Sequence, residues 1–434
     1  MKSILFLVPK MNGIHGRLNE LWNEELQKAV EKGRWHIITP SALLLASIAE
    51  QENYEICIVD EEFGEIDSTQ FFDIVCIYTV TPNAKRAYWH AEQFRRKGAW
   101  VAIGGVHSFY MSEEAQSHCD TLLLGEGEII FRRFLRDFSL GRAKKRYYQM
   151  PGSVSLSDSP LPLYSCLEHN AKRLIPIQTA RGCPHNCSFC NVNGLYGRGF
   201  RSKSKEQIKK ELLEVGKLKE CKTVYITNDN ILSTQEHFYT LVEVMEESPL
   251  CWYANVDISF GQKTENIKKA QKSGLKQVLI GLESIDKRNL YQLNDNHFKF
   301  CYIRKYREYI ARIQENGIGV VGSFIVGQPN DSEDTFRYLE EFIFDTNLYG
   351  ANVTVFTPYP GTQLYASMNG QKQIMTYDWD YYTIFQPVIK MKQMTPQKMN
   401  KCYAELLSRI HSKEFMQRRM QYFTKNLRGA GKEI

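Results

Sequence analysis

Short apolar runs alternate with helical patterns along the first 150 residues of this 434-residue chain. The runs have the length and the β-branched or aromatic content of buried strands, and they span residues 3–8, 54–59, 73–79, 100–103 and 121–124. Residues 41–50 and 84–97 have helical periodicity between them. This alternation predicts a doubly wound parallel sheet for residues 1–150, a fold that binds ligands in the loops beyond the carboxyl ends of its strands.

Composition limits the class of protein. A length of 434 residues allows two or three domains, and 43% hydrophobic with 24% charged residues is ordinary for a globular protein. The apolar run at residues 1–9 is too short for a signal peptide, and no run approaches the length of a membrane span. The eleven cysteines are odd in number and mostly scattered singly. They therefore indicate reduced thiols in a cytoplasmic protein and not a disulfide framework.

Three cysteines depart from this scatter. Cys183, Cys187 and Cys190 lie four and three residues apart on one loop that contains glycine and proline. A [4Fe–4S] cube usually takes four thiolates, one per iron, so three thiolates leave one iron open for a ligand from outside the protein. A zinc site completed by His185 is the alternative. The position of His185 within the loop makes a tetrahedral shell awkward, and no second cysteine pair follows.

The Cys-x3-Cys-x2-Cys loop, with Phe189 just before its last cysteine, resembles the signature of the radical S-adenosylmethionine enzymes. The resemblance implies that the three cysteines hold a [4Fe–4S] cluster, that S-adenosylmethionine chelates the open iron, and that Phe189 packs near the adenine. It also implies cleavage of S-adenosylmethionine to a 5′-deoxyadenosyl radical, which abstracts a hydrogen atom. An external one-electron reductant such as flavodoxin or ferredoxin is the implied partner.

From about residue 174 the strand–helix pattern restarts and repeats through six steps, with strands predicted at residues 174–179, 223–227, 252–256, 277–280, 320–326 and 352–356. This agrees with the partial, open (β/α)6 barrel of TIM type that the resemblance implies for residues 174–390. Active residues of such barrels lie at the carboxyl ends of the strands. The resemblance places S-adenosylmethionine near Asn228, Asp229, Glu283, Ser284 and Gly327.

Three loops beyond the predicted amino-terminal strands are rich in small and hydroxyl residues. Together they resemble the Rossmann-like cobalamin-binding domain that precedes many radical S-adenosylmethionine enzymes, chiefly through Gly-Gly-x-His and Gly-Glu-Gly-Glu. The implied cobalamin-binding residues are Thr79, Thr81, Gly104, Gly105, His107, Gly125, Glu126 and Gly127. The chain lacks the Asp-x-His-x-x-Gly motif that supplies a lower axial histidine. We therefore expect cobalt to be held without a protein imidazole.

Two further segments complete the predicted organisation. Residues 151–173 are rich in proline, glycine and serine and predict a linker. Residues 391–434 predict a helical carboxyl-terminal region, of which residues 397–434 hold nine Lys or Arg and three Asp or Glu. A solvated helical face is the simplest explanation of this charge, and a basic dock for an acidic partner is the alternative.

The combined resemblance implies a cobalamin-dependent methyltransferase that acts on an unactivated carbon of a small molecule or peptide. Methylcobalamin would supply the methyl group, and S-adenosylmethionine would also remethylate the cobalamin. The chain lacks the β-barrel tail of RNA methylthiolating relatives and any further cysteine cluster, so sulfur insertion and a nucleic-acid partner are not expected. The alternatives are a non-methylating cyclisation, rearrangement or epimerisation on the same architecture, and a cluster-bearing electron-transfer module.

Overall fold

The computed structural model describes residues 1–11, 37–67, 69–170, 174–219, 221–293 and 297–429. The strands are β1 (Lys2–Val8), β2 (Tyr54–Asp60), β3 (Ile74–Tyr78), β4 (Trp100–Gly104), β5 (Thr121–Leu124), β6 (Arg146–Tyr148), β7 (Ile175–Ile177), β8 (Ala180–Arg181), β9 (Arg201–Ser202), β10 (Thr223–Ile226), β11 (Cys251–Val256), β12 (Leu275–Glu283), β13 (Gly319–Val326) and β14 (Gly350–Val355). The helices are α1 (Pro40–Gln51), α2 (Ala84–Arg96), α3 (Val106–Tyr110), α4 (Ser112–Gln116), α5 (Gly127–Ser139), α6 (Val192–Tyr196), α7 (Lys205–Gly216), α8 (Gln235–Glu246), α9 (Thr264–Lys272), α10 (Lys287–Leu293), α11 (Phe298–Tyr302), α12 (Tyr306–Glu315), α13 (Glu333–Asp345), α14 (Gln363–Gly370), α15 (Pro396–Ile410) and α16 (Lys413–Gly429).

The first sheet has the strand order β2-β1-β3-β4-β5-β6, and all its neighbouring strands are parallel. Helices α1 and α5 pack on one face, and α2 packs on the other. The predicted doubly wound sheet is therefore confirmed. The strand order changes direction between β1 and β3, and ligand crevices of such sheets open at that point. The edge strand β6 was not predicted, because a three-residue strand among basic residues has no apolar run.

The second sheet has the order β14-β13-β12-β11-β10-β7 and is parallel throughout. Its two edge strands, β7 and β14, do not pair with each other, which confirms the predicted open six-step barrel. Strand β12 runs beyond the predicted residues 277–280 through an irregularity between Gly281 and Glu283. Glu283 consequently ends the strand in a left-handed conformation, with φ of 63°.

The chain after β14 joins the two sheets. Phe356, Trp379 and Tyr382 belong to the same buried cluster as Ala84 and Tyr88 of α2. Residues from the barrel side of the sequence therefore cover one face of the amino-terminal sheet. Sequence periodicity did not indicate this packing, since these residues lie between regular elements.

The carboxyl-terminal region is helical, as predicted, but it forms the two helices α15 and α16. Helix α15 packs on the barrel through Met399 and Leu407, and the Tyr403 hydroxyl donates to the Val353 carbonyl oxygen at 2.8 Å. Residues 171–173 of the predicted linker and residues 430–434 of the tail lie outside the described residues. The proposed domain boundaries at residues 150, 173 and 390 stay predictions.

Two further observations concern the chain as a whole. All eleven cysteines are free, and the reduced state of their thiols stays a prediction. Within the described ranges, no helix has both the length and the apolar content needed to cross a membrane.

A substitution at Gly105 tests the backbone conformation of the turn after β4. Gly105 has φ of +116°, and a Cβ there would collide with the Thr79 carbonyl oxygen. We expect Gly105→Ala to lower the free energy of unfolding by about 2–5 kcal/mol, because backbone strain and overpacking add. Gly216→Ala is the matched control: its Cβ meets nothing within 4 Å at the end of α7, and it should stabilise by about 0.5–1 kcal/mol. Equal unfolding midpoints for the two variants in urea would contradict this assignment.

Candidate active site between the two sheets

A cavity of about 560 Å³ opens at the carboxyl ends of the barrel strands. Cys183, Cys187, Phe189 and Cys190 line one side of it. The strand-end residues on the other sides are Tyr225, Asp229, Asn230, Asn255, Val256, Asp257, Leu279, Gly281, Glu283, Ser323, Ile325, Thr354 and Val355. The structure therefore brings the predicted cysteines, Phe189, Asp229 and Glu283 to one cavity.

Backbone hydrogen bonds hold the start of the cysteine loop. The Asn228 side-chain oxygen accepts the backbone N–H groups of Thr179 and Ala180, each at 2.9 Å. The Gly182 N–H donates to Asp229 Oδ2 at 3.1 Å. Gly182 has φ of +100°, and a Cβ there would collide with the Gly199 carbonyl oxygen. Glycine is required at this position because the loop passes so close to another backbone segment.

The end of the loop is fixed to two helices. The Ser188 N–H donates to the Leu293 carbonyl oxygen at 2.9 Å, and the Ser188 carbonyl oxygen accepts the Leu364 N–H at 2.8 Å. Within the loop, the Cys190 N–H donates to the Cys187 carbonyl oxygen at 3.0 Å. Helices α10 and α14 thus determine where the last two thiols lie.

Burial, together with the nearby Asp229 and the neighbouring cysteines, raises the pKa of the Cys183 thiol to about 11 and that of Cys190 to about 12. Three thiols this close repel one another when ionised, so the loop by itself favours the protonated form. Metal ligation requires thiolates and releases these protons. The donor set is soft and crowded, with Cys183 and Cys187 half-buried and Cys190 exposed, which fits an iron–sulfur cluster at the edge of a cavity.

The imidazole ring of His185 interacts with Asp257 and Phe298. Its Nε2 lies 3.2 Å from Asp257 Oδ2, and its ring packs on Phe298 with centroids 4.3 Å apart. Asn230 also donates to Asp257 Oδ2, at 2.7 Å. Among the described residues, no three Cys, His, Asp or Glu side chains are arranged around a single metal ion. A cube does not need that arrangement, since each thiolate binds a different iron.

A buried lysine that the sequence reasoning missed pairs with Glu283. Lys299 donates to Glu283 Oε1, and its Nζ lies 5.8 Å from the centroid of the Phe189 ring. Burial lowers the pKa of Lys299, but attraction to Glu283 and the nearby Cys187 outweighs burial and leaves this pKa raised. The residue lies on the short helix α11, where its sequence neighbours gave no functional signal. The cavity therefore contains an ion pair beside the cysteines.

Asp229 is a second carboxyl group in the cavity and is half-buried. Burial raises its pKa, and the N–H of Gly182 partly opposes this effect. The cavity therefore offers carboxyl acceptors, Glu283 and Asp229, to a ligand's ammonium group and a donor, Lys299, to its carboxylate.

Three predicted ligand residues do not line this cavity. Asn228 uses its side chain to hold the cysteine loop, as described above. The Ser284 hydroxyl oxygen accepts the Asp286 N–H at 3.0 Å. Gly327, with φ of +80°, forms a turn that Asp331 supports by accepting the Gln328 N–H at 3.0 Å. These residues shape the strand ends that carry the site.

A second cavity, of about 270 Å³, lies between the amino-terminal sheet and the barrel. Of the residues predicted to hold cobalamin, Gly104, Gly105, Gly125, Glu126 and Gly127 line it. Its apolar wall comes from Leu7, Leu43, Leu44, Leu45, Ile77, Val106 and Phe109. The glycines leave room beside the backbone, and the cavity lies at the ligand-binding edge of the sheet. These features fit part of a large flat cofactor.

Thr79, Thr81 and His107 do not line the second cavity. The Thr79 hydroxyl donates to the Gly104 carbonyl oxygen at 3.0 Å, and Thr81 Oγ1 lies 3.2 Å from His107 Nδ1. The His107 ring packs against Trp379, with centroids 5.2 Å apart. The threonine hydroxyls thus support the loop from behind, and the histidine contacts the segment after the barrel.

Tyr110, at the end of α3, reaches from the amino-terminal sheet to the cysteine loop. A Cβ on Gly194 or Gly361 would collide with its side chain. Burial and the nearby Cys190 raise the pKa of Tyr110 to about 12, so the hydroxyl stays protonated. Gly194 and Gly361 therefore leave room for the Tyr110 side chain beside the cysteine loop.

Arg181 joins the segment before the cysteine loop to the loop of Glu126 and Glu128. Its guanidinium lies 2.6 Å from Glu126 Oε2 and 2.6 Å from Glu128 Oε1, and Arg201 lies 3.0 Å from the same Glu126 oxygen. The side chain lines the second cavity, while Cys183, two residues later, lines the first. The sequence analysis used Glu128 as part of the Gly-Glu-Gly-Glu motif but did not predict its pairing with Arg181, because the two residues are more than fifty positions apart.

Comparison with known proteins agrees with this geometry. Residues 177–343 match the family model of the radical SAM superfamily. The chain is similar to bacteriochlorophyllide d C-12(1)-methyltransferase of Chlorobaculum tepidum, with 27% identity over 392 residues that cover 88% of this chain and 84% of that protein.

Two solved structures have a similar fold. The radical S-adenosylmethionine methyltransferase TsrM from Kitasatospora setae aligns with a TM-score of 0.65 at 16% identity, covering 86% of this chain and 76% of that one. The cobalamin-dependent S-adenosylmethionine radical enzyme OxsB aligns with a TM-score of 0.67 at 12% identity, covering 98% and 71%. At these identities the likeness shows the fold. Residues 177–343 of this chain form a domain of the radical S-adenosylmethionine superfamily, and a six-stranded parallel sheet precedes this domain.

Proposed function

We propose that this protein is a cobalamin-dependent radical S-adenosylmethionine methyltransferase that acts on an unactivated carbon. The observation that carries the proposal is that one short segment serves both cavities: Arg181 lines the cavity of the amino-terminal loops and pairs with Glu126, and Cys183, two residues later, lines the cavity beside the three cysteines. A methyltransferase of this kind needs a hydrogen-abstracting centre and a methyl carrier in adjoining spaces. The similarity to a bacteriochlorophyllide methyltransferase over most of both chains supports the same reading.

Different residues of the chain would hold the cluster and the S-adenosylmethionine. Cys183, Cys187 and Cys190 would hold the [4Fe–4S] cluster, and Lys299 with Glu283 would bind the charged groups of S-adenosylmethionine. When bound, the cluster supplies the electron that cleaves S-adenosylmethionine, and cobalamin supplies the methyl group. The protein positions these groups and excludes water.

Substrate and partners follow from the cavity and the chemistry. The wall of the barrel cavity includes Phe189, Ile325, Phe356 and Ile384, so we propose a small molecule with an extended apolar surface. An external one-electron carrier such as flavodoxin or ferredoxin would supply the electron. Free cysteines throughout the chain favour a reducing compartment, the cytoplasm.

A second candidate is a non-methylating cyclisation, rearrangement or epimerisation. The chain is also similar to the anaerobic magnesium-protoporphyrin IX monomethyl ester cyclase of Rubrivivax gelatinosus, with 24% identity over 373 residues that cover 78% of this chain and 64% of that protein. The architecture therefore does not by itself require a methylated product.

The cluster assignment is tested by iron content. Anaerobic reconstitution should give about four irons per chain, as a cube requires. The triple Cys→Ala variant at positions 183, 187 and 190 should hold none. Cys402→Ala, a free cysteine on α15, and His185→Gln should both keep the iron. Bound zinc, or iron retained by the triple variant, would contradict the cluster assignment.

The ion pair is tested by affinity for S-adenosylmethionine. We expect Glu283→Ala and Lys299→Met to keep the cluster and to bind S-adenosylmethionine about tenfold or more weakly, because each removes a hydrogen bond to a charged group. Ser284→Ala is the neighbouring control and should bind normally, since Ser284 does not line the cavity. Equilibrium dialysis against labelled S-adenosylmethionine measures this. Unchanged affinity and 5′-deoxyadenosine formation in Glu283→Ala would refute the role.

Methyl transfer is tested by cofactor retention and by products. Protein purified from cells supplied with hydroxocobalamin should hold stoichiometric cobalamin, and His107→Ala should leave its visible spectrum unchanged. With reductant and S-adenosylmethionine, the protein should release both 5′-deoxyadenosine and about one S-adenosylhomocysteine per cobalamin, as remethylation of one bound carrier requires. Formation of 5′-deoxyadenosine without retained cobalamin or S-adenosylhomocysteine would favour the non-methylating candidate.

A further inference from the structure

The cavity between the sheets has an apolar wall and one charged side. The charged residues are Glu126 and Glu128 on the loop that begins α5, and Arg181 and Lys203 from the barrel. Glu126 and Glu128 are only 6% and 7% exposed. Carboxylates this deeply buried normally have all their oxygens in hydrogen bonds.

Each of these carboxylates has one bound oxygen and one free oxygen. Arg181 binds Glu126 Oε2 and Glu128 Oε1, both at 2.6 Å. Glu126 Oε1 and Glu128 Oε2 are buried and have no hydrogen-bond partner among the described residues. Two unpaired acceptors therefore occur side by side on the loop that lines the cavity.

The nearby donors are already engaged elsewhere. Lys203 donates to Glu211, and Arg201 binds the Glu126 oxygen that Arg181 also holds. The Ser159 hydroxyl lies 3.4 Å from Glu128 Oε1, again the oxygen that already has a partner. The free oxygens consequently need a donor from outside the described residues.

Both the charge and the position of these groups restrict that donor. Burial raises the pKa of Glu128, but attraction to Arg181 outweighs burial and holds this pKa below its ordinary value. An ionised carboxylate only accepts hydrogen bonds, and Arg181 and Arg201 already supply two positive charges to Glu126 and Glu128, so a neutral N–H or O–H group fits the free oxygens. A carboxylate on the ligand would be repelled in this dry site.

We propose that Glu126 and Glu128 form an acceptor pair that selects a ligand with neutral N–H or O–H donors over one with a carboxylate, with Arg181 as the positioning residue of both. The identity of the ligand rests on the proposed function: it is the corrinoid. A corrinoid offers such donors in two places, the primary amides of its ring and the ribose hydroxyl of its nucleotide.

Spectrophotometric titration of the cluster-loaded protein tests this pair without measuring activity. The probes are hydroxocobalamin, its mono-acids in which one ring amide is hydrolysed, and cobinamide, which lacks the nucleotide. Wild-type protein should bind at least one mono-acid about tenfold more weakly than hydroxocobalamin if ring amides are the donors. A similar loss confined to cobinamide would assign the ribose hydroxyl as the donor.

Two variants and one control identify the acceptors. The Glu126→Gln and Glu128→Gln variants should bind hydroxocobalamin more weakly than the wild-type protein does. The ratio of their affinities for hydroxocobalamin and for the mono-acid should also fall towards one, because a neutral amide does not repel a carboxylate. Glu113→Gln alters an exposed carboxylate that pairs with Arg146, and it should keep the wild-type preference.

The outcomes separate the two proposals. Equal wild-type affinity for hydroxocobalamin, every mono-acid and cobinamide would overturn the acceptor pair, and this arm does not depend on any variant folding. A wild-type preference that both Gln variants retain would also overturn it. If the wild-type protein binds no corrinoid at all, the proposed function fails and this inference fails with it.

Discussion

The buried charge cluster of Arg181, Glu126 and Glu128 is the interaction on which the rest of the site depends. It fixes the start of the cysteine loop against the amino-terminal loop at a point where neither partner is solvated. Removing one member of such a pair costs about 3–5 kcal/mol, because the other charge is left buried and unpaired. The relative position of the two cavities is therefore set by electrostatics as well as by packing.

Close backbone approaches complete this arrangement. Asn228 and Asp229 bind backbone N–H groups at the start of the cysteine loop, while Gly182 lets the loop pass another backbone segment. Side chains that looked like ligands from the sequence thus divide into two groups. Asp229 faces the cavity, whereas Asn228 holds the loop that carries the cysteines.

Both sheets were predictable because parallel strands are buried on both faces and read as short apolar runs. The six barrel strands fell close to their predicted positions for this reason. Strand β6 was missed because an exposed edge strand of three residues has no such run. The reach of β12 to Glu283 was missed because the irregularity at Gly281 interrupts the apolar pattern that marks a strand.

The sequence by itself determined the two series of strands and helices, the three thiols on one loop, and the glycine-rich loops at the strand ends. These features depend on local spacing and periodicity, which are written along the chain. Only the tertiary structure decided that Lys299 pairs with Glu283 beside the cysteines, and that Arg181 joins Glu126 and Glu128. The physical reason is that a buried charge needs a partner nearby in space, and folding chooses that partner from distant parts of the sequence.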